Sequence, residues 1–468
     1  MNEKLAQALS HVEDGYVSRA AKRKKVRKLW IPAIAAVLAM VFFWRTPTIP
    51  LIVNAETVSL APESRAMSRP HPGSDDFQVW YEERMARKEI LEGCTAPIRV
   101  FSRNLSELVL SGDTENNTVW SPVNAYIGLA MTAELTGSYT REALLDVLNL
   151  PDLDALRTGV SAVWEALYQD DGREVCTLAN SLWLDDAFGY HQNVMDDLSY
   201  HYYASVYRGD LGSEEINRAI TNWLDTNTGG LLKDRTGEVA LDPATSCMAL
   251  ASTVYFQGQW VDKFDPEQNT QGIFYGQDEK ILCEFMNVKE YEMNYYWGKD
   301  FSAVQIWMEN NTCMWFFLPD EDKTVADVLA SEEYMRMMSD DLDFLNDHCK
   351  YMKVNLSIPK FDITAGVDLK EPMTQLGLGQ LFQMGGNDFS PSIDSDLPIF
   401  LDEVHQNTRV AIDEEGVTAA SYILIEIGAG AAMPPDDIID FVLNRPFVFA
   451  ISKEHIPLFV GTVNDPTK

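Results

Sequence analysis

The stretch FVLNRPFVFAI, residues 441–451, is the most informative part of the chain, and PLFVGTVNDP, residues 457–466, follows it closely. Both stretches contain several β-branched and aromatic residues, which favour strands. The polar interval SKEH, residues 452–455, separates them and has the character of a turn. Residues 445–464 are therefore predicted to form a β-hairpin.

Upstream of this hairpin, the hydrophobic pattern divides the chain into helical and strand segments. Residues 97–111 place apolar side chains at helical spacing, and SPVN at 121–124 begins another helix. Residues 174–184 and 249–260 have the composition of buried strands. The first half is mainly helical and the second mainly β, which predicts an α+β fold rather than alternating βα units. Residues 76–468 are interpreted as one large domain.

The composition excludes several classes of protein. Of 468 residues, 46% are hydrophobic and 23% charged, as in ordinary globular proteins, and the net charge of −34 argues against a nucleic-acid partner. The sequence has no HExxH, GxSxG or P-loop motif and no CxxC among its six cysteines. We therefore expect neither an enzyme nor a metal site or cofactor, and most cysteines should be buried free thiols.

The N-terminal region has the pattern of a membrane anchor. Residues 1–28 hold eight Lys or Arg against three Asp or Glu, and LWIPAIAAVLAMVFFW, residues 29–44, has no charge. This pattern predicts a basic cytoplasmic tail at 1–28 and a transmembrane anchor at 29–45. A Pro/Ser-rich linker, 46–75, would then lead to an extracellular domain. The alternative is a signal peptide cut after Ala55, which would release a secreted protein. The basic tail and anchor suggest a bacterial source.

The segment between residues 411 and 447 does not have the character of a core. Small residues occupy 417–421, and the side-chain-poor run GAGAAM at 428–433 ends in two prolines. Small, β-compatible residues can join a sheet, and a Gly/Ala tip can enter a protease cleft in extended form. Loops of this length without secondary structure are usually functional.

From about residue 95 to its end, the chain resembles the serpin family. Residues 441–451 fit the family signature position by position, and four further segments match in the same order along the chain: 118–122, 253–264, 354–361 and 457–466. The resemblance implies helices packed around a large central mixed sheet and two smaller sheets, with an exposed reactive loop. It also implies a suicide inhibitor, because a serine protease that cuts the loop is trapped when the loop inserts into the sheet as an extra strand.

The resemblance assigns a hinge, the part of the loop that enters the sheet first. Its residues would be Glu414, Gly416, Val417, Thr418, Ala419, Ala420 and Ser421. Strand alternation places Val417, Ala419 and Ser421 on one face, which should point to the core. These small residues carry no charge and favour an inhibitor. The alternative is a non-inhibitory serpin that acts as a membrane-tethered binding module.

The resemblance also assigns a shutter, a group of polar residues beneath the sheet. Its members would be Ser121, Asn124, Ser252 and His405, although Ser252 stands where the family has asparagine and one extra residue separates His405 from Glu414.

The scissile region is placed within Ala429, Gly430, Ala431 and Ala432 by the same resemblance. Their tiny side chains would leave a large specificity pocket empty and forfeit its burial energy. No Lys or Arg lies between residues 414 and 444, which disfavours trypsin-like targets. The expected partner is an elastase-like or subtilisin-like serine protease, with a papain-like cysteine protease as a weaker option.

Overall fold

The computed structural model describes residues 55–62, 75–112, 115–170, 174–233, 240–339, 341–417 and 437–468. Contacts divide the chain into two units, Met1–Leu51 and Ile52–Lys468, and every described residue belongs to the second. The predicted tail and anchor, 1–45, lie outside the described residues. Within the described ranges, no helix is long and apolar enough to cross a membrane.

Most helices of the described residues lie in the first half of the chain. They are α1 Asp75–Leu110, α2 Pro122–Leu135, α3 Ser138–Val147, α4 Leu153–Leu167, α5 Gln192–Tyr202, α6 Glu214–Asn227, α7 Val325–Leu329, α8 Glu332–Met338, α9 Leu342–Asp347 and α10 Lys370–Met373. Their starts follow ordinary capping rules: α2 has proline in its first turn, and the Ser213 hydroxyl at the start of α6 accepts a hydrogen bond from the Ile216 N–H. The predicted helix at 97–111 is confirmed as the C-terminal part of α1.

The first sheet has eight strands of mixed direction. They are β1 Glu56–Ser59, β3 Gln169–Asp170, β4 Val175–Asp185, β6 Ala204–Gly209, β7 Met248–Gln259, β13 Phe361–Asp368, β15 His405–Ile412 and β16 Gly416–Val417. Their order is β1-β6-β4-β7-β16-β15-β13, with β3 beside β4. The β4–β6 pair is parallel and the other pairs are antiparallel. The predicted strands at 174–184 and 249–260 are confirmed as β4 and β7.

The second sheet has nine strands, and a further pair forms a small third sheet. The nine are β2 Thr118–Trp120, β8 Thr270–Tyr275, β9 Lys280–Trp297, β10 Phe301–Met308, β11 Thr312–Pro319, β12 Cys349–Pro359, β17 Ile438–Val442, β18 Phe447–Lys453 and β19 Ile456–Val463. Their order is β17-β12-β9-β10-β11-β18-β19-β2, with β8 beside β9, while β5 Gly189–Tyr190 pairs with β14 Ile393–Asp394. The predicted terminal hairpin is confirmed as β18 and β19.

Part of the predicted linker is a strand. Residues 56–59 form β1, which pairs with the edge strand β6 through Thr57 opposite Tyr207, and α1 begins at Asp75. The linker prediction of 46–75 is therefore wrong for these four residues. A strand of four residues has too little alternation to be recognised in a Pro/Ser-rich stretch.

Core packing fixes which way the first sheet faces. Trp183 of β4 packs with Ile220 and Trp223 of α6 on the outer face. The other face belongs to the main core, with Phe256 of β7 and Ile412 of β15. Side chains that alternate along β7 and β15 therefore point either toward the core or toward the outer side of the sheet.

Candidate functional site

Residues 413–417 form a tight turn that leads from β15 into β16. The Asp413 carboxylate accepts hydrogen bonds from the backbone N–H groups of Glu415, at 2.9 Å, and Gly416, at 3.2 Å. Trp260 donates its backbone N–H to the Glu415 carbonyl at 3.1 Å and its indole N–H to the Asp413 carbonyl at 2.9 Å. The turn is therefore closed by the Asp413 carboxylate and attached to Trp260.

Glu414, the predicted first residue of the hinge, is held by an ion pair. Its carboxylate lies 2.5 Å from Lys360 Nζ and accepts a hydrogen bond from the Asn269 amide, and Lys360 also contacts Glu284 at 3.3 Å. Burial by itself would raise the pKa of Glu414, but the hydrogen bonds from Lys360, its own backbone and Asn269 outweigh it and hold that pKa below its ordinary value. The carboxylate is thus charged at neutral pH and keeps the turn attached to its surroundings.

Gly416 and Val417 form the short strand β16. Gly416 has a φ of +152°, and a Cβ at this position would collide with the carbonyl oxygen of Gly258. Only glycine fits this close approach of two backbones. Val417 pairs with Gly258 of β7 on one side and with Ile412 of β15 on the other. Its side chain is only 3% exposed, which confirms the prediction that it points to the core.

The space between β7 and β15 is therefore wide enough for one strand, and this space is called the strand position below. Among the described residues, no ladder joins β7 directly to β15, and each of them is joined to β16 instead. Since neighbouring strands lie about 4.8 Å apart, β7 and β15 are separated by about 10 Å at this level. The first sheet can thus accommodate one internal strand, which β16 begins.

The segment between β16 and β17, residues 418–436, lies outside the described residues. Thr418, Ala419, Ala420 and Ser421 of the predicted hinge lie outside the described residues. The residues of the predicted scissile region also lie outside them; these are Ala429, Gly430, Ala431 and Ala432. The chain is described again at Asp437, which pairs with Lys350, and β17 then runs parallel to β12.

Beneath the first sheet, Gln406 joins β15 to the start of α2. Its amide oxygen accepts a hydrogen bond from the Ser121 N–H at 2.7 Å, and its amide nitrogen donates to the Ser121 carbonyl at 3.0 Å. The structure therefore corrects the assignment of His405. That side chain is 54% exposed and lies 3.3 Å from Glu403, because its strand neighbour Gln406 occupies the core-facing side.

The other shutter residues are brought together only in part. Ser252 of β7 lies opposite Asn180 of β4, whose amide nitrogen donates to the Tyr202 carbonyl at 2.6 Å. The hydroxyls of Ser121 and Ser252 and the amide oxygen of Asn180 are buried and have no hydrogen-bond partner among the described residues. Asn124 lies half-buried on α2. Gln406 and Asn180 are the polar residues of this region that the sequence interpretation missed.

Metal-binding groups and reactive cysteines are two further kinds of site that the described residues could contain. No group of three or more His, Cys, Asp or Glu side chains there could hold a metal ion. The six cysteines are all free, and burial raises the pKa of the Cys176 thiol to about 12. The Cys176 thiol is therefore protonated at neutral pH and a poor nucleophile.

Together, the fold and the site define a protein whose first sheet holds the short strand β16 between β7 and β15. The chain belongs to the serpin family: the family model described as "Serpin (serine protease inhibitor)" matches residues 97–466. The observed helices and sheets are those of the serpin fold, which confirms the predicted fold class. Members of this family are mostly inhibitors rather than catalytic enzymes.

Similar proteins come from plants and animals. Serpin-Z10 from Arabidopsis thaliana is 26% identical over 75% of this chain and 92% of its own length. Alpha-1-antiproteinase from Mus saxicola is 26% identical over 77% of this chain and 86% of its own length. Among solved structures, the native state of the thermophilic serpin tengpin has a TM-score of 0.70 at 23% identity, and the match covers 88% of this chain and 100% of tengpin. This structural likeness concerns the fold alone.

Proposed function

We propose that this protein is an inhibitory serpin that traps a serine protease when its cut loop inserts into the first sheet. The observation that carries the proposal is β16, which already occupies the first two residues of a strand position between β7 and β15. Val417 enters the core there without a clash or an unpaired charge. Cleavage would free the rest of the loop to continue in the same direction, and strand addition supplies new ladder hydrogen bonds.

The register of β16 supports the predicted faces of the hinge. If the antiparallel pairing of Val417 with Gly258 and Ile412 continues, Ala419 comes to lie between Phe256 and Val410. Phe256 and Val410 are both buried in the core. An alanine at this place adds little volume to a packed interior, whereas a bulky or charged side chain would have to displace it.

The proposed target is an elastase-like or subtilisin-like serine protease. Cleavage is proposed at Gly430–Ala431 or Ala431–Ala432, where a shallow specificity pocket loses little by holding a small side chain. A papain-like cysteine protease is the weaker alternative. Pro434 follows Met433, and this disfavours cleavage after Met433.

The test is incubation of the purified protein with pancreatic elastase, subtilisin and trypsin, followed by denaturing electrophoresis. We expect a covalent complex with elastase or subtilisin, and mass spectrometry of the released peptide should show a new N-terminus between Gly430 and Met433. A covalent complex with trypsin alone would overturn the target assignment. Cleavage without a complex for every protease would favour the non-inhibitory binding module.

We further propose that residues 29–45 anchor the protein in a membrane and that the serpin domain lies outside the cell. The support is the uncharged run at 29–44 behind the basic tail. A bacterial source is part of this proposal. Release after cleavage at Ala55 is the competing outcome.

A further inference from the structure

A fully buried ion pair lies at the end of the first sheet where the loop enters. Glu174 and Lys453 have side chains that are 0% and 2% exposed, and their charged groups are in direct contact. Lys453 also donates to the Gln169 amide oxygen at 2.9 Å, and the Thr312 hydroxyl donates to the second carboxylate oxygen of Glu174 at 2.9 Å. Both charges are therefore satisfied away from water, the condition under which a buried pair is tolerated.

The pair connects the two large sheets. Glu174 directly precedes β4 of the first sheet, whereas Lys453 ends β18 and Thr312 begins β11 of the second. Thr312 and Lys453 are directly opposite one another in the β11–β18 ladder. A contact at Glu174 is therefore a contact between the half-sheet that contains β4 and the body formed by the second sheet.

The pair also lies at the level of the hinge. Val175, next to Glu174, is opposite Gln257 of β7, and the following residue of β7, Gly258, is opposite Val417. Strands β4 and β7 are paired over ten residue pairs, from Val175 to Leu184. A shift at the start of β4 would therefore also move β7. The distance between β7 and β15 at Val417 thus depends on the position of Glu174.

The other side of the strand position is fixed independently. Strands β13 and β15 pair with each other in antiparallel fashion, and both contact β2 of the second sheet. The distance between β7 and β15 consequently depends on attachments to the same body, which include one through β2 and one near Glu174. The bridge between Trp260 and Met308 of β10 supports the second attachment from the end of β7.

We infer that Glu174 and Lys453 are positioning residues for loop insertion, which hold the entry of the first sheet open by the width of one strand. The expected effect on protease trapping rests on the proposed function, whereas the expected effect on the position of β16 does not. The pair is intact in the structure in which β16 is already seated, so it is compatible with the open entry and stabilises it. Without the pair, β7 can move toward β15 and expel Gly416 and Val417.

The decisive variant is the double substitution Glu174→Gln with Lys453→Met, which removes both charges together and leaves no buried charge unpaired. Hydrogen exchange is measured on peptides that contain residues 416–417 and 258–259. We expect at least tenfold faster exchange there than in the parent, with unchanged exchange in α5. Arg336→Gln, which removes the ion pair between Arg336 of α8 and Asp341 directly before α9, is the matched control and should change neither.

The functional readout is the number of inhibitor molecules consumed for each elastase molecule trapped. This stoichiometry should rise severalfold in the double variant, because slower insertion lets more protease escape after cutting the loop. Unchanged exchange and stoichiometry in a folded double variant would overturn the inference, and a lower stoichiometry would show that the pair opposes insertion. If the parent itself traps no protease, the proposed function fails, whereas the exchange experiment still decides the structural part.

A second variant covers the case in which the double variant does not fold. Glu174→Asp keeps the charge but shortens the side chain by one methylene, so it cannot reach Lys453 and Thr312 together. We expect a smaller increase of exchange at residues 416–417 than in the double variant, and the parent rate in the Arg336→Gln control. Parent-like exchange at these residues in Glu174→Asp would contradict the inference.

Discussion

The Gln406 side chain links β15 to the start of α2 through both backbone groups of Ser121. Replacing Gln406 with leucine leaves the buried N–H of Ser121 without its partner, whereas the Ser121 carbonyl still accepts the Ala125 N–H at 3.2 Å. We expect the free energy of unfolding in urea to fall by about 1–3 kcal/mol. His405→Leu is the matched control on the exposed side of the same strand and should change it by less than about 0.5 kcal/mol. Equal losses in the two variants would restore His405 as the shutter residue.

Val417 is the residue whose chemistry decides whether the hinge can enter the sheet. Val417→Arg would bring a charge into a site where the valine is 3% exposed, and burial of an unpaired charge costs several kcal/mol. We expect elastase to cut this variant without forming a covalent complex. Thr418→Arg, on the predicted outward face, is the control and should keep most of the inhibition. If Val417→Arg inhibits as well as the parent, insertion is not the mechanism.

The pairing of β16 predicts the register of the inserted loop. Continuation from Val417 opposite Gly258 brings Ile423 opposite Ser252. Directly opposite residues of antiparallel strands have Cα atoms about 4.5–5.5 Å apart, a distance that a disulfide can bridge. Cysteines at 252 and 423 should therefore crosslink after the loop is cleaved and not before, as peptide mapping under oxidation would show.

The matched control for this crosslink places the cysteine one residue away, at Ala251. A shift of one residue moves a side chain to the other face of the sheet, so the pair 251 and 423 should remain unlinked. Crosslinking of the control instead of Ser252→Cys would mean that the loop enters with a different register.

The sequence predicted elements with a strong pattern and missed those that depend on distant partners. The hairpin of β18 and β19, the strands β4 and β7 and the helix at 97–111 all follow from local composition. The shutter was misassigned by one residue, since His405 matched by residue type; alternation from the buried Val410 and Ile412 would have selected Gln406. No local pattern could pair Glu174 with Lys453, because only the tertiary fold brings them together.

At the scale of the whole molecule, the anchor proposal predicts where the chain is accessible. Protease added to intact cells should remove the serpin domain and leave residues 1–28 protected, since a basic segment before an apolar span stays in the cytoplasm. The fragments are identified by mass spectrometry, with lysed cells as the control in which the tail is digested too. Recovery of mature protein that begins near Glu56 alone would favour the cleaved signal peptide.

Cleavage of the loop should make the whole molecule more resistant to heat. Insertion of residues 418–427 would pair them with residues 257–248 of β7, so the half-sheets that β16 now joins through two residues would become one continuous ladder. Unfolding entropy is about 2.1 cal/mol/K per residue, so a net gain of even about 5 kcal/mol raises the Tm of a domain of nearly 400 residues by roughly 6 °C. Calorimetry of the intact and elastase-cleaved protein measures the shift. The Val417→Arg variant, cleaved in the same way, is the control that should show a smaller shift. An unchanged Tm in the cleaved parent would mean that the loop stays outside the sheet, and the tethered binding module would then be the better account of this protein.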